Sequence, residues 1–436
     1  SAEPGVLFHD RINEYNPFLK HLGPIEATNP CGEVLLYPYE SCNLGSINVW
    51  NYLKKNGGKK PVFDWQKLAM DVKIATKFLD NVVDVNKYPL KEIEEMSLNT
   101  RKLGLGIMGI GDLLYELEIP YASKSCLDFM ERLMEFVNYY SKETSLELSQ
   151  ERGRMPYFDK SFYKEGKLPF SGFKDKKSWR FDWLALAKKI KKHGIRNSFT
   201  TVIAPTGSIS MLAGCSSGIE PVYSLVFEKN VAVGSFFYVD PVFEEQMRKA
   251  GLMDEDLIGD AARFNGSIRH ISYIPEKYKK IFVTAMDISP VDHVRVLAAF
   301  QKWVDSAISK TNNFPAEATV DDIKKVYLLA YELGCKGVTV YRDKSLQTQV
   351  LVGGSTKKKP KDIQKLSLVK KDEKTKGLVV YYEAGVKAEV NSLDLSPAQN
   401  TIGGKFDLKN CPSCSSLLVK QEGCNKCAAC GWGLCS

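Results

Sequence analysis

Apolar positions along the chain follow two rhythms. Trp65, Leu68, Ala69, Val72, Ala75, Phe78, Leu79 and Val82 recur every three or four residues, the spacing of one helix face. The same period runs through about 124–150, and again through about 292–310, where Val294, Val296, Leu297, Phe300, Val304 and Ile308 carry it. Thr319 predicts a helix N-cap with Asp321 and Asp322 in the first turn, and Gly334 predicts that helix's end. Gly337 then leads into Val338-Thr339-Val340-Tyr341, a buried-strand pattern. Strand-like runs also follow the Glu3-Pro4-Gly5 turn, span Thr200–Ala204, and occupy Leu378–Tyr382. Helix and strand alternate, which predicts an α/β architecture of barrel type. No apolar run approaches the roughly 20 residues that cross a bilayer.

Composition changes this picture little. Of 436 residues, 44% are hydrophobic and 26% charged, an ordinary globular mixture with length for two or three domains. The net charge of +8 is more informative in its placement. Nine Lys between Ser355 and Lys376 face only Asp362, Asp372 and Glu373, so this stretch alone carries +6. A localised run reads as a solvated linker or as a polyanion-binding patch; it does not make the whole chain a nucleic-acid binder. The organisation expected is therefore residues 1–345 as the α/β body, 346–376 as a Lys-rich flexible linker, and 377–436 as a β-prone piece followed by a cysteine-rich tail.

Six of eleven cysteines fall in that tail: Cys411, Cys414, Cys424, Cys427, Cys430 and Cys435. There is no basic-then-apolar leader, so a cytoplasmic location and metal or redox chemistry are expected ahead of a disulfide scaffold. Two Cys-x-x-Cys knuckles read as a tetrahedral Zn2+ site, with Cys411, Cys414, Cys424 and Cys427 as ligands in a zinc-ribbon-like domain. The competing choice takes Cys427 and Cys430 as the second knuckle.

Upstream, Asn29-Pro30-Cys31-Gly32-Glu33 places a thiol in a tight loop between an amide and a carboxylate, and Cys42 follows eleven residues later. Taken alone, Cys31 reads either as a nucleophile or radical site, or as a small buried hydrophobe. Asn197–Ser210 runs from an apolar strand into Pro205-Thr206-Gly207-Ser208-Ile209, small residues opening a helix whose N–H groups can cradle phosphate. It is not a Walker sequence.

Together these stretches resemble the ribonucleotide reductase catalytic subunit, and within it the C-terminal half of the adenosylcobalamin-dependent class II enzymes. Asn29–Glu33, Glu40–Asn48, Leu103–Gly109, Arg196–Ser210, Ser217–Pro221 and Lys336–Asp343 carry the resemblance, in the family's order. It implies the C-terminal part of a ten-stranded α/β barrel with a central finger loop. It also implies replacement of the ribose 2′-OH by hydrogen: a thiyl radical on Cys31 abstracts the 3′-hydrogen, Glu33 is general base at the 3′-OH, and Asn29 bonds the sugar hydroxyls. Cys42 would be one of two cysteines that reduce the substrate radical, and Pro205, Thr206, Gly207, Ser208 and Ile209 would bind the substrate phosphates. The family's other reducing cysteine, its early strands and its allosteric site lie upstream of the finger loop. An N-terminal half is therefore expected as partner, either a separate chain or one joined by removal of an intein before Ser1, and the assembled enzyme is expected to be a homo-oligomer.

Class I enzymes relay the radical through a Tyr-Tyr pair, where this chain has only Tyr341; class III enzymes lack the Glu that Glu33 matches. The resemblance thus implies adenosylcobalamin as radical source, with no residue identified that holds it. Cys126, Cys215 and Cys335 are expected in the core. Cys430 and Cys435 have the spacing of the family's C-terminal shuttle pair, recharged by a thioredoxin-like reductant through thiol exchange, and the Lys-rich linker would let that tail swing. Two other readings remain: a zinc-ribbon nucleic-acid-binding protein, which a strongly salt-dependent DNA affinity would favour, and a non-catalytic electron-relay or regulatory subunit with the same fold.

Overall fold

Five parallel segments form the centre of the body. In spatial order they are Leu44–Asn48, Gly104–Met108, Thr200–Ile203, Ala307–Phe314 and Gly337–Arg342, with Gly5–Leu7 antiparallel on the last. The middle segment is held on both sides: Leu105 N donates to Thr200 O (3.0 Å) and Ser309 N donates to Ile203 O (2.8 Å). Parallel neighbours need a crossover, and helices supply it. Trp65–Val85 and Lys91–Thr100 separate the first two strands, Lys124–Arg152 precedes the third, and Val320–Glu332 precedes the last. Among the described residues this arc does not close into a barrel, and Leu44–Asn48 is paired on one side only.

The computed structural model describes residues 5–56, 59–231, 234–343 and 345, and then the strands at 366–368, 379–383, 418–421, 424–427 and 433–435. The chain forms two compact units, Ser1–Lys387 and Ala388–Ser436. Among the described residues no helix is long and apolar enough to cross a membrane.

Helix starts follow their caps. Asp64 accepts from Lys67 N (3.1 Å), Ser123 from Cys126 N (3.2 Å), and Thr319 forms a capping box with Asp322. Two expectations need correction. The helix expected over about 292–310 spans Pro290–Gln301. Beyond it the chain turns so that Asp305 meets Lys142 and Thr200 in the core, and Ile308 pairs with Ile203. Val304 and Ile308 are buried as their spacing suggested, but Val304 in the turn after the helix and Ile308 in the arc. In Trp65–Val85, Leu68, Val72, Leu79 and Val83 are buried, whereas Phe78 is 65% exposed on a second apolar face with Met70 and Ile74.

Charged pairs pin the helices to the arc. Asp80, buried in the Trp65–Val85 helix, accepts from Arg101 Nη2 (2.8 Å), Arg196 Nε (2.8 Å) and Asn197 Nδ2 (2.8 Å). A separate apolar cluster, built on Leu225, Phe237, Val239, Phe243 and Leu257, supports a four-stranded antiparallel sheet. Val379–Glu383 is one of its strands and pairs with Gly234–Val239, so this β-prone piece lies in the first unit and not with the cysteine tail.

The second unit contains a three-stranded antiparallel sheet of Leu418–Gln421, Cys424–Cys427 and Gly433–Cys435. Cys424 stands opposite Cys435 in its register. The backbone from Cys424 to Cys427 runs as a strand. Cys411, Cys414 and Cys430 lie outside the described residues.

Candidate active site

A short hairpin, Ala27–Thr28 against Leu35–Leu36, carries the Asn29–Val34 loop. Gly32 sits at φ +82°, a conformation that glycine adopts at no steric cost, and its N–H donates to Asn29 O (3.0 Å). Asn29 Oδ1 accepts from Val34 N (3.0 Å), so this side chain closes the loop on itself. The loop is tied to the arc at Glu33: Glu33 O accepts from Ala307 N (2.9 Å) and Ser306 Oγ (2.8 Å), while Ser306 Oγ accepts from Leu35 N (3.1 Å).

This anchoring divides the loop by chemistry. Cys31 is exposed, which removes the reading of it as a buried hydrophobe. Glu33 is 1% exposed, and its Oε2 is buried without a hydrogen-bond partner. Burial pushes the Glu33 carboxyl above its ordinary range, while the Asn29 side chain, bonded to it, opposes the shift. Cys42 is exposed as well. Burial of part of its surroundings raises its thiol, Glu33 and Cys31 add to the rise, and the Lys102 ammonium opposes it. Asn29, Cys31, Glu33 and Cys42 are therefore brought into one electrostatic neighbourhood.

The phosphate-cradle candidate follows the third segment of the arc. Thr206, at φ +55°, caps the Gly207–Ala213 helix, and its hydroxyl accepts from Gly218 N (2.7 Å). Gly207, Ser208 and Ile209 supply the first-turn N–H groups, which no helical carbonyl can take, and all three residues are exposed, as is Pro205. Space beyond Gly207 is open: a Cβ there would meet nothing within 4 Å. The position suits an anion, at the carboxyl end of a parallel strand. The neighbouring segment anchors Glu33, through Ser306, whose N–H donates to Thr201 O (3.1 Å).

Sequence reasoning missed three residues that shape this site: Ser306, Glu40 and Lys102. Lys102 Nζ donates to Leu35 O (2.7 Å) and to Glu40 Oε2, which also accepts from Tyr37 N (2.7 Å). Glu40 sits in the stretch that contains Cys42, and Lys102 immediately precedes Leu103–Gly109. Their adjacency to motif residues was the available signal. Of the remaining cysteines, Cys126 and Cys335 are buried as expected and Cys215 is partly exposed. Tyr139 and Tyr140 pack with Phe181. Among the described residues no group of three or more His, Cys, Asp or Glu could hold a metal ion.

A loop with a buried carboxylate close to two accessible thiols thus lies beside an arc of parallel strands. The family described as "Ribonucleotide reductase, barrel domain" matches residues 1–341. The chain belongs to that family. It is 44% identical over 374 residues to a vitamin B12-dependent ribonucleoside-diphosphate reductase of Thermoplasma acidophilum, covering 85% of this chain and 44% of the relative. A protein of the same description from Mycobacterium tuberculosis is 38% identical, covering 82% and 47%. The α subunit of Chlamydia muridarum ribonucleoside-diphosphate reductase is 33% identical, covering 80% and 34%. The chain thus spans less than half the length of these relatives. The fold also matches the α subunit of the Actinobacillus ureae class Id ribonucleotide reductase, with TM-score 0.62 at 23% identity over 78% of this chain and 58% of that one.

Proposed function

We propose that this chain is the C-terminal part of an adenosylcobalamin-dependent ribonucleotide reductase, acting in the cytoplasm and needing its N-terminal half to turn over. The observation that carries the reading is Glu33: a buried carboxylate oxygen without a partner, close enough to exposed Cys31 and Cys42 to act on both thiols. Such an oxygen is costly unless a substrate hydroxyl completes it. The one-sided pairing of Leu44–Asn48 among the described residues supports a partner strand supplied by the other half.

In this reading Cys31, as a thiyl radical, takes the 3′-hydrogen while Glu33 takes the 3′-OH proton. The 2′-OH leaves as water with a proton from the pair formed by Cys42 and a cysteine of the N-terminal half. That pair then supplies the hydrogen that replaces it at C2′, giving up two electrons in all and closing a disulfide, while Glu33 returns its proton to the 3′-oxygen and hydrogen returns from Cys31 to C3′. Asn29 holds Glu33 and faces the sugar, and the Thr206–Ile209 turn after Pro205 receives the phosphates. Cobalamin would supply the oxidation of Cys31, whose exposed thiol is reachable from outside the loop; no residue of this chain is assigned to holding it. The greater identity to the two B12-dependent relatives than to the chlamydial α subunit favours this radical source.

The tail reading rests on cysteine spacing: Cys411, Cys414, Cys424 and Cys427 bind Zn2+, and Cys430 with Cys435 shuttles electrons from a thioredoxin-like reductant. Metal analysis of the purified chain tests the first part, with one zinc per chain expected. The function itself is tested by ribonucleotide reduction with adenosylcobalamin and a dithiol, with and without the N-terminal half. Activity only with both is expected. Activity that instead requires a class I radical-generating subunit would refute the cobalamin assignment, and full activity of Cys31→Ser would refute the thiyl assignment.

A further inference from the structure

Beside Cys42 lies a cavity of about 120 Å³ whose walls include Glu40, Ser41, Cys42, Ser97 and Lys102. Lys102 is a buried cation held from two directions, by Leu35 O (2.7 Å) and by the Glu40 carboxylate. The Glu40 side chain is 1% exposed, and its second oxygen, Oε1, is buried without a partner. Burial draws Lys102 below its ordinary range, and Glu40 and Cys42 oppose this only in part. The expense of burying such a pair is seldom repaid in stability, so its position against a thiol needs a further account.

We propose that Lys102, fixed by Glu40, is a positioning residue for Cys42: its ammonium stabilises the sulfur as a thiolate during disulfide exchange. The proposal rests on the reading of Cys42 as a redox cysteine. When a dithiol reduces the Cys42 disulfide by attack on the partner sulfur, a new S–S bond forms there. Cys42 then leaves with the electron pair and afterwards takes up one proton. The reductant's second thiolate next displaces the partner cysteine and closes the reductant's own disulfide. A cation beside the departing sulfur speeds this step, because a better-stabilised thiolate leaves faster. The charged and titratable groups around Cys42 are Cys31 and Glu33 of the finger loop, Glu40 and Lys102, and Tyr88 across the cavity. Of those acting on its thiol, Glu33 and Cys31 push toward the protonated form and Lys102 alone pulls the other way.

Site-resolved alkylation of the reduced full-length chain tests this. Iodoacetamide labelling of Cys42 is followed by peptide mass spectrometry from about pH 6 to about pH 10, with Cys31 as internal control. Lys102→Met is expected to slow Cys42 labelling about tenfold near pH 8 and to move its midpoint up by about one pH unit, a tenfold loss of thiolate. Lys102→Arg, which keeps the charge, should restore the profile. Cys31, on which Lys102 does not act, should not move. Lys102→Met with Glu40→Gln removes the pair without stranding a buried charge, and the same upward shift is expected if the single variant fails to fold. An unmoved Cys42 profile in the folded variant, or equal shifts at Cys42 and Cys31, overturns the proposal. Turnover of Cys42→Ser in the assembled enzyme is a separate arm: full activity there would refute the redox reading of Cys42 while leaving the alkylation result intact.

Discussion

Lys142 and Asp305 are both fully buried and paired across the space between the Lys124–Arg152 helix and the arc. Asp305 Oδ2 also accepts from Thr200 N (2.7 Å) and Thr200 Oγ1 (3.1 Å), and Asn138 Nδ2 donates to Oδ1 (3.2 Å). Lys142→Met therefore leaves a buried carboxylate with neutral donors only. Breaking one side of such a pair costs about 3–5 kcal/mol. At about 2 °C per kcal/mol for a chain of this size, Tm should fall by about 6–10 °C. Burial draws Lys142 below its ordinary range even with Asp305 present, so desolvation outweighs the attraction within the pair. It follows that Lys142→Met with Asp305→Asn, which keeps an oxygen for Thr200 N, should lose less than Lys142→Met alone. Thermal unfolding by circular dichroism of wild type, both singles and the double checks this. A double variant that loses the sum of the two singles, or a Lys142→Met loss under about 1 kcal/mol, would refute the reasoning.

Three further outcomes are expected. Glu33→Gln in the assembled reductase should lower kcat by about 10²–10⁴, the usual worth of a general base, while nucleotide affinity stays within about twofold; equal losses in both would make Glu33 a binding residue. Ser306→Ala removes the hydroxyl that holds Glu33 O and Leu35 N, so about 1–3 kcal/mol of stability should go, with a fall in kcat at unchanged fold by circular dichroism. Asp240 is pushed up to about 7 by burial and by Asp112, itself pushed up to about 6, from an ordinary value of 3.8. The folded state then holds protons that the unfolded chain releases, so stability from these groups is greatest near pH 4 and falls as pH rises to about 7. Asp240→Asn keeps the cap on Phe243 N (2.8 Å) and should flatten that fall in Tm against pH; an unchanged slope would count against it.

Local chemistry made much of the site legible. Pro30 and Gly32 fix a tight turn whatever surrounds it, and Thr319 with Asp322 caps a helix through contacts three residues apart. What sequence could not give was pairing at long range. Ser306 meets Glu33 across 273 positions, and Lys102 meets Glu40 across 62. No periodicity reports such contacts. Val304 and Ile308 illustrate the same limit: their burial was visible, but a helix, a turn and a strand bury similar apolar residues.

The Trp65–Val85 helix shows how a correct period can still misplace a side chain. Its apolar residues do not form one stripe. Leu68, Val72, Leu79 and Val83 face the core, whereas Met70, Ile74, Phe78 and Val85 are 60–75% exposed. A helix apolar on two faces is ordinarily covered on both. Sequence reveals the surplus of apolar positions but not which face the rest of the chain covers. The exposed face adjoins Ile47 and Tyr52, which line one open cleft with Ile74 and Phe78. Ile47 belongs to Leu44–Asn48, the strand paired on one side only among the described residues. The unpaired strand edge and the uncovered helix face thus lie on the same side of the arc, and one added strand–helix unit would satisfy both. The N-terminal half proposed as partner would bring such a unit. Phe78→Asp and Ile74→Asp should then weaken assembly with that half while leaving the Tm of the isolated chain within about 2 °C, since neither side chain is buried in it; assembly unaffected by both substitutions would place the seam elsewhere.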